Sequence, residues 1–118
     1  MTRKEFENVV AEAVASLPEA FRKKIENVSF HVVESPHRRR ATGREPSLYG
    51  LYEGIPVGQR GPDYQMALPD RITIFKRAIV RDCKTRAGMV KCIRETVLHE
   101  IGHYFGLDDD QLDRLGIG

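Results

Sequence analysis

Between Thr85 and Phe105 the chain carries two helical patterns at once, and no other stretch limits the fold so strongly. Val90, Ile93, Val97, Ile101 and Tyr104 fall within about 40° of one direction on a helical wheel, the stripe that such a helix buries. His99 and His103 stand roughly 200° to 240° around from Val97. Histidines so far from the packing stripe do not fill it, so they face a second surface. Gly106 follows at the position where a left-handed residue closes a helix.

The second pattern reads His99-Glu100-Ile101-Gly102-His103. Positions four apart return to one helix face, so two imidazoles can share a metal ion. Zinc takes neutral imidazole nitrogen and carboxylate oxygen, and a catalytic site keeps one position open for water. Glu100, one residue beyond the first histidine, is then placed to act on that water as general base. With four histidines in 118 residues, a chance match to this spacing is rare.

Gly106 lies three residues after His103, and Asp109 three after that. A glycine there lets the backbone leave the helix sharply and brings Asp109 back toward the histidines as third ligand. Asp108 and Asp110 flank it, and a run of three aspartates also suits the start of a last short helix. The third ligand therefore stays open among the three, with the spacing favouring Asp109. Cys92 faces the ligand side but sits about 10 Å below His99 along the helix axis, which rules it out as a ligand.

The remaining elements suggest one small α+β domain spanning 1–118. Phe6, Val9, Val10, Ala13, Val14 and Leu17 recur at helical spacing, giving a helix from Arg3 to about Leu17 that Pro18 ends, with a short turn through Phe21 to Ile25. Strands are expected at Val28–Val33, Leu48–Glu53 and Arg71–Phe75, each rich in β-branched or aromatic residues. A polar loop from Pro36 to Ser47 and an exposed turn around Gly58 to Pro62 separate them. A short helix around Leu112 and Leu115 closes the chain.

Nineteen basic and seventeen acidic side chains leave a formal charge of +2, which argues against a nucleic-acid partner. The run His37-Arg38-Arg39-Arg40 reads as a solvated loop rather than a phosphate clamp. The N-terminus has no apolar stretch of leader length, and no run reaches membrane-spanning length, so a cytoplasmic, non-membrane protein is expected. Cys83 and Cys92, the two cysteines, are read as unpaired thiols of a reducing compartment. Nothing in the composition bears on oligomeric state.

Three stretches together resemble the small bacterial zincin-like metallopeptidases, or minimal zincins: Leu48 to Pro56, Leu68 to Phe75, and Glu95 to Asp109. The resemblance implies a few-stranded mixed sheet packed by the N-terminal helix and the histidine-bearing helix, followed by a short C-terminal helix. It implies Zn2+ on His99, His103 and Asp109, Glu100 as catalytic base, and a peptide or protein as substrate. In larger zincins an extended peptide pairs with an edge strand beside the metal, which makes Gly50, Leu51 and Tyr52 the substrate-binding candidates. Gly50 and Gly54 agree with that, since glycine in a strand often marks a close backbone approach, although a bulge in an interior strand also accounts for them.

The few residues after His103 leave no room for a methionine turn, so a deep enclosed cleft is not expected. The oxyanion stabiliser would come from Tyr49, Tyr52, Tyr64 or His31. Two other functions share some of these features. A metal-dependent endoribonuclease of the rRNA-maturation type also spaces two histidines by four, but with glycine after the first and histidine as third ligand. A non-catalytic zinc-binding module would need a fourth protein ligand, such as Asp108 or His31, in place of water.

Overall fold

The computed structural model describes residues 1–35, 48–54 and 69–114. In chain order the elements are α1 (Arg3–Ala15), α2 (Glu19–Arg22), β1 (Val28–Val33), β2 (Gly50–Glu53), β3 (Asp70–Phe75), α3 (Lys76–Asp82), α4 (Arg86–Tyr104) and α5 (Asp109–Arg114). The strands form a mixed sheet in the order β1-β3-β2. β1 runs parallel to β3, pairing Phe30 with Ile72 and Val32 with Ile74. β2 runs antiparallel to β3, pairing Tyr52 with Ile72 and Gly50 with Ile74.

Side chains alternate across a strand, so this register sorts the sheet into two faces. One face carries Phe30, Val32, Ile72, Ile74, Tyr52 and Gly50, and it receives α1 and α4. The core is built here, from Phe6, Val9, Val10 and Ala13 of α1, the apolar residues of that face, and Ile93, Val97, Ile101 and Tyr104 of α4. Full burial of each large apolar side chain contributes about 1.5–3 kcal/mol. His31 belongs to the opposite row, with Thr73 and Leu51.

α1 begins at a capping box, in which Glu5 N–H donates to Thr2 Oγ1 at 3.1 Å and Thr2 N–H donates to Glu5 Oε1 at 2.8 Å. It stops at Ala15, two residues before the position that its apolar spacing suggests; Ser16 caps it with its hydroxyl on the Ala13 carbonyl, and Pro18 disfavours helical backbone at Leu17. α4 starts where expected, with the Thr85 hydroxyl accepting from Gly88 N–H at 3.0 Å. β2 is shorter than its sequence pattern, since Leu48 and Tyr49 form a bend before it.

α3 is an element that the sequence pattern does not announce. Phe75 passes straight from strand to helix without a side-chain cap, glycine or proline, and Ile79 is its one buried residue. The Pro36 to Ser47 loop, the Gly58 to Pro62 turn, the basic run 37–40, Tyr64 and Leu115 lie outside the described residues. No helix among the described residues is long and apolar enough to cross a membrane.

Candidate metal centre

α4 is amphipathic at its start and buried on more than one side at its end. Beyond the packing stripe of Ile93, Val97, Ile101 and Tyr104, a second buried row runs through Thr96, Glu100 and His103. Gly50 makes room for that second row. A Cβ at position 50 would lie 2.8 Å from Thr96 Cγ2 and 3.4 Å from Glu100 Cγ, so the missing side chain lets the helix settle against β2. Glu100 is left only 2% exposed between helix and sheet.

The two histidines converge as their spacing suggests, with His99 Nε2 and His103 Nε2 3.1 Å apart. Asp109 Oδ1 stands 3.5 Å from the first nitrogen and 3.3 Å from the second. Zinc bonds of about 2.0–2.2 Å arranged tetrahedrally set ligand atoms roughly 3.3–3.6 Å apart. Two of the three separations fall in that range and the 3.1 Å between the imidazoles is slightly short of it, so the atoms outline approximately one face of a zinc-sized tetrahedron.

Glu100 also belongs to a metal-compatible set, since its ligand atom and those of the two histidines all lie within 4.8 Å of one another. Its Oε2 is nevertheless 4.0 Å from His99 Nε2, farther than Asp109 Oδ1 is. Asp109 completes the tighter triangle, and Glu100 sits one step outside it.

Both imidazoles are prepared for ligation. His103 Nδ1 lies 3.0 Å from the Leu107 carbonyl oxygen. A carbonyl only accepts, so Nδ1 carries a proton, and in the neutral ring that leaves the lone pair on Nε2. Burial lowers the pKa of His99, and neighbouring His103 pushes the same way, against the opposing pull of Asp109 and Asp113. Neutral imidazole is the form that binds metal.

The turn that delivers Asp109 is closed by backbone bonds. Gly106 N–H donates to His103 O at 2.9 Å and Leu107 N–H to Gly102 O at 3.0 Å, a Schellman motif with Gly106 at φ 87°. That positive φ is the reason for glycine here. The next three residues divide their work. Asp108 caps α5, its Oδ1 accepting from Gln111 N–H at 2.8 Å while Gln111 Oε1 accepts from Asp108 N–H at 2.8 Å. Asp109 faces the histidines, and Asp110 is exposed, its carbonyl accepting from Arg114. The Asp108 and Gln111 spacing is a capping-box signature that the sequence already displayed.

The other candidates are engaged elsewhere. The Tyr52 hydroxyl donates to buried Asp70 Oδ2 at 2.6 Å, and its ring meets Tyr104 edge-on. The Tyr49 hydroxyl donates to Asp82 Oδ2 at 2.8 Å, which pushes its pKa up to about 12. His31 bonds to Ser29 Oγ on the face of the sheet away from α4. Cys83 and Cys92 are unpaired, and burial pushes the Cys92 thiol up to about 12, away from the thiolate that a metal needs. Gly50, Leu51 and Tyr52 are all buried, with β2 at the end of the strand order.

A sequence profile described as zincin-like metallopeptidase matches residues 25–118. A search of curated proteins finds no match to the chain.

Proposed function

Because the chain belongs to the zincin-like metallopeptidase family, we propose that His99, His103 and Asp109 hold the zinc on which its peptidase activity depends, and that Glu100 is its general base. The function itself is zinc-dependent peptide hydrolysis. The observation that carries the residue assignment is the triangle of 3.1, 3.3 and 3.5 Å drawn by the two Nε2 atoms and Asp109 Oδ1. When bound, zinc supplies Lewis acidity that makes water nucleophilic at neutral pH and polarises the scissile carbonyl.

The protein's own residues do the rest. Glu100 takes the proton from the attacking water as oxygen bonds to the carbonyl carbon, then hands it to the amide nitrogen as the carbon–nitrogen bond breaks. Its burial against Gly50 and Thr96 holds the carboxylate in one place, so no reorganisation is needed during the transfer. Leu107 O fixes the His103 tautomer from behind.

The substrate is an extended peptide or protein segment that runs beside Gly50, Leu51 and Tyr52. Among the described residues β2 ends the strand order, and it touches the helix at Glu100, which supports this placement. The side chains of Leu51 and Tyr52 are buried, so they offer a substrate little to read and sequence preference is broad. Two unpaired cysteines support a reducing, cytoplasmic setting.

The test is metal analysis paired with turnover. The wild type should carry one zinc per chain and cleave unstructured peptides, and Glu100→Gln should keep the zinc while turnover falls by roughly 10²–10⁴. Turnover that survives this change would refute the mechanism. A complex with a peptide hydroxamate should show the ligand backbone along β2, and a ligand seated elsewhere would remove that assignment.

A further inference from the structure

Gly102 is the residue between Glu100 and His103 for which nothing above gives a reason. It sits inside α4 with helical backbone, unlike Gly54 and Gly106 with their positive φ. Glycine in a helix interior is destabilising relative to alanine, so conformation alone argues against it here. Space argues for it. A Cβ at position 102 would stand 2.3 Å from Leu112 Cδ2 and 3.4 Å from Leu112 Cδ1 and Cγ. Leu112 is 0% exposed and is the one buried residue of α5.

From this we infer that Gly102 and Leu112 form a lock that positions the third metal ligand. The inference rests on Asp109 being that ligand, as proposed above. Asp109 and Leu112 are three apart on α5 and share one helix face. Seating Leu112 in the notch above Gly102 therefore turns Asp109 toward His99 and His103, although the aspartate side chain itself is 77% exposed. Short α5 has no other buried side chain to fix its angle. A methyl group at position 102 displaces Leu112, which is enclosed on all sides, and α5 tilts with it. Gly102 and Leu112 touch no metal; they are positioning residues.

The expectation runs against helix propensity, which makes the test decisive. Gly102→Ala should leave the helix content of the metal-free protein intact, its gain in helix propensity being offset by the displaced Leu112, yet weaken zinc binding by roughly 10–100-fold, the usual cost of losing an outer-sphere partner. Leu112→Ala should weaken it similarly. Zinc affinity is measured by competition with a chromophoric chelator, and the ligand set by the visible absorption of the cobalt(II) form. The cobalt spectra of both variants should resemble that of Asp109→Ala.

If the pair acts as one unit, Gly102→Ala combined with Leu112→Ala costs no more than the worse single change. Adding Asp109→Ala to Gly102→Ala should likewise cost little more. Wild-type zinc affinity and cobalt spectrum in Gly102→Ala, with Asp109→Ala impaired, would overturn the lock and leave the ligand assignment standing. Unchanged affinity in Asp109→Ala itself would overturn the ligand assignment and the lock with it. Fully additive losses in the double variant would also overturn the lock.

Discussion

The two ends of α4 are made of different physics. At its start the helix is held by surface interactions: the Thr85 cap and an ion pair from Arg86 to Glu5 Oε2 of α1 at 2.7 Å, with both partners solvent-accessible. At its end Glu100, Ile101, Gly102, His103 and Tyr104 are all buried, and β2, α5 and the Schellman turn close around them. The first end supplies stability and tolerates change. The second gives up apolar packing to place polar groups where water is scarce, which is where shifted and oriented ligands arise. Damage to the first end should appear in melting curves, and damage to the second in metal binding.

The largest separation is expected from His103→Ala. Removing a first-sphere nitrogen should cost more zinc affinity than the roughly hundredfold that an outer-sphere loss can cost. Isothermal titration with zinc checks this, and full occupancy of the variant at one equivalent would contradict the ligand assignment. The matching change at the other end is Thr85→Ala, which should lower unfolding free energy by about 1 kcal/mol. Its zinc affinity should equal that of the wild type, and a parallel loss of affinity would show that the two ends are not separable.

A smaller effect on metal should come from Asp108→Ala. Asp108 caps α5 through Gln111 rather than facing the histidines. Losing a cap costs about 1 kcal/mol of local helix stability. Zinc affinity should fall by a few-fold only, well short of Asp109→Ala. If Asp108→Ala proves the more damaging of the two, the roles of these neighbours are reversed.

This contrast also explains what the sequence makes legible. His99, Glu100 and His103 sit on a single helix, so their convergence follows from a spacing of four and needs no tertiary information. Both limits of α4 were readable for the same reason, through Thr85 and Gly106. Asp109 reaches the site only after a turn and the docking of α5, so spacing alone left Asp108 and Asp110 in contention, although Gln111 three residues after Asp108 carried the capping signal. The ties of the Tyr52 hydroxyl to Asp70 and the Tyr49 hydroxyl to Asp82 join residues far apart in sequence, and nothing local marks them. α3 was hidden because an uncapped helix that continues a strand shows no boundary residue.

The smallest effect lies at the first end and depends on pH. The Glu5 carboxyl is held down to about 2 by the Thr2 backbone N–H first, then by Arg86 and the Thr2 hydroxyl. Its folded pKa lies below the ordinary value of 4.5, so its contribution is fully present above that value and is lost as pH falls through about 2. Protonation over this window weakens the carboxylate half of the α1 capping box and the link from α1 to α4. Because both Glu5 and Arg86 are open to solvent, water screens the pair and the loss should be modest. Asp82, lowered to about 2 by Arg81 and then Tyr49, titrates in the same window, so the fall in melting temperature on acidification will not belong to Glu5 alone. Comparing metal-free wild type with metal-free Glu5→Gln isolates its share and keeps histidine protonation at the metal centre out of the measurement. The wild type should be the more stable at neutral pH, and the two melting curves should converge toward pH 2. A constant gap between them across the acid range would show that the Glu5 charge does not fasten the start of α4.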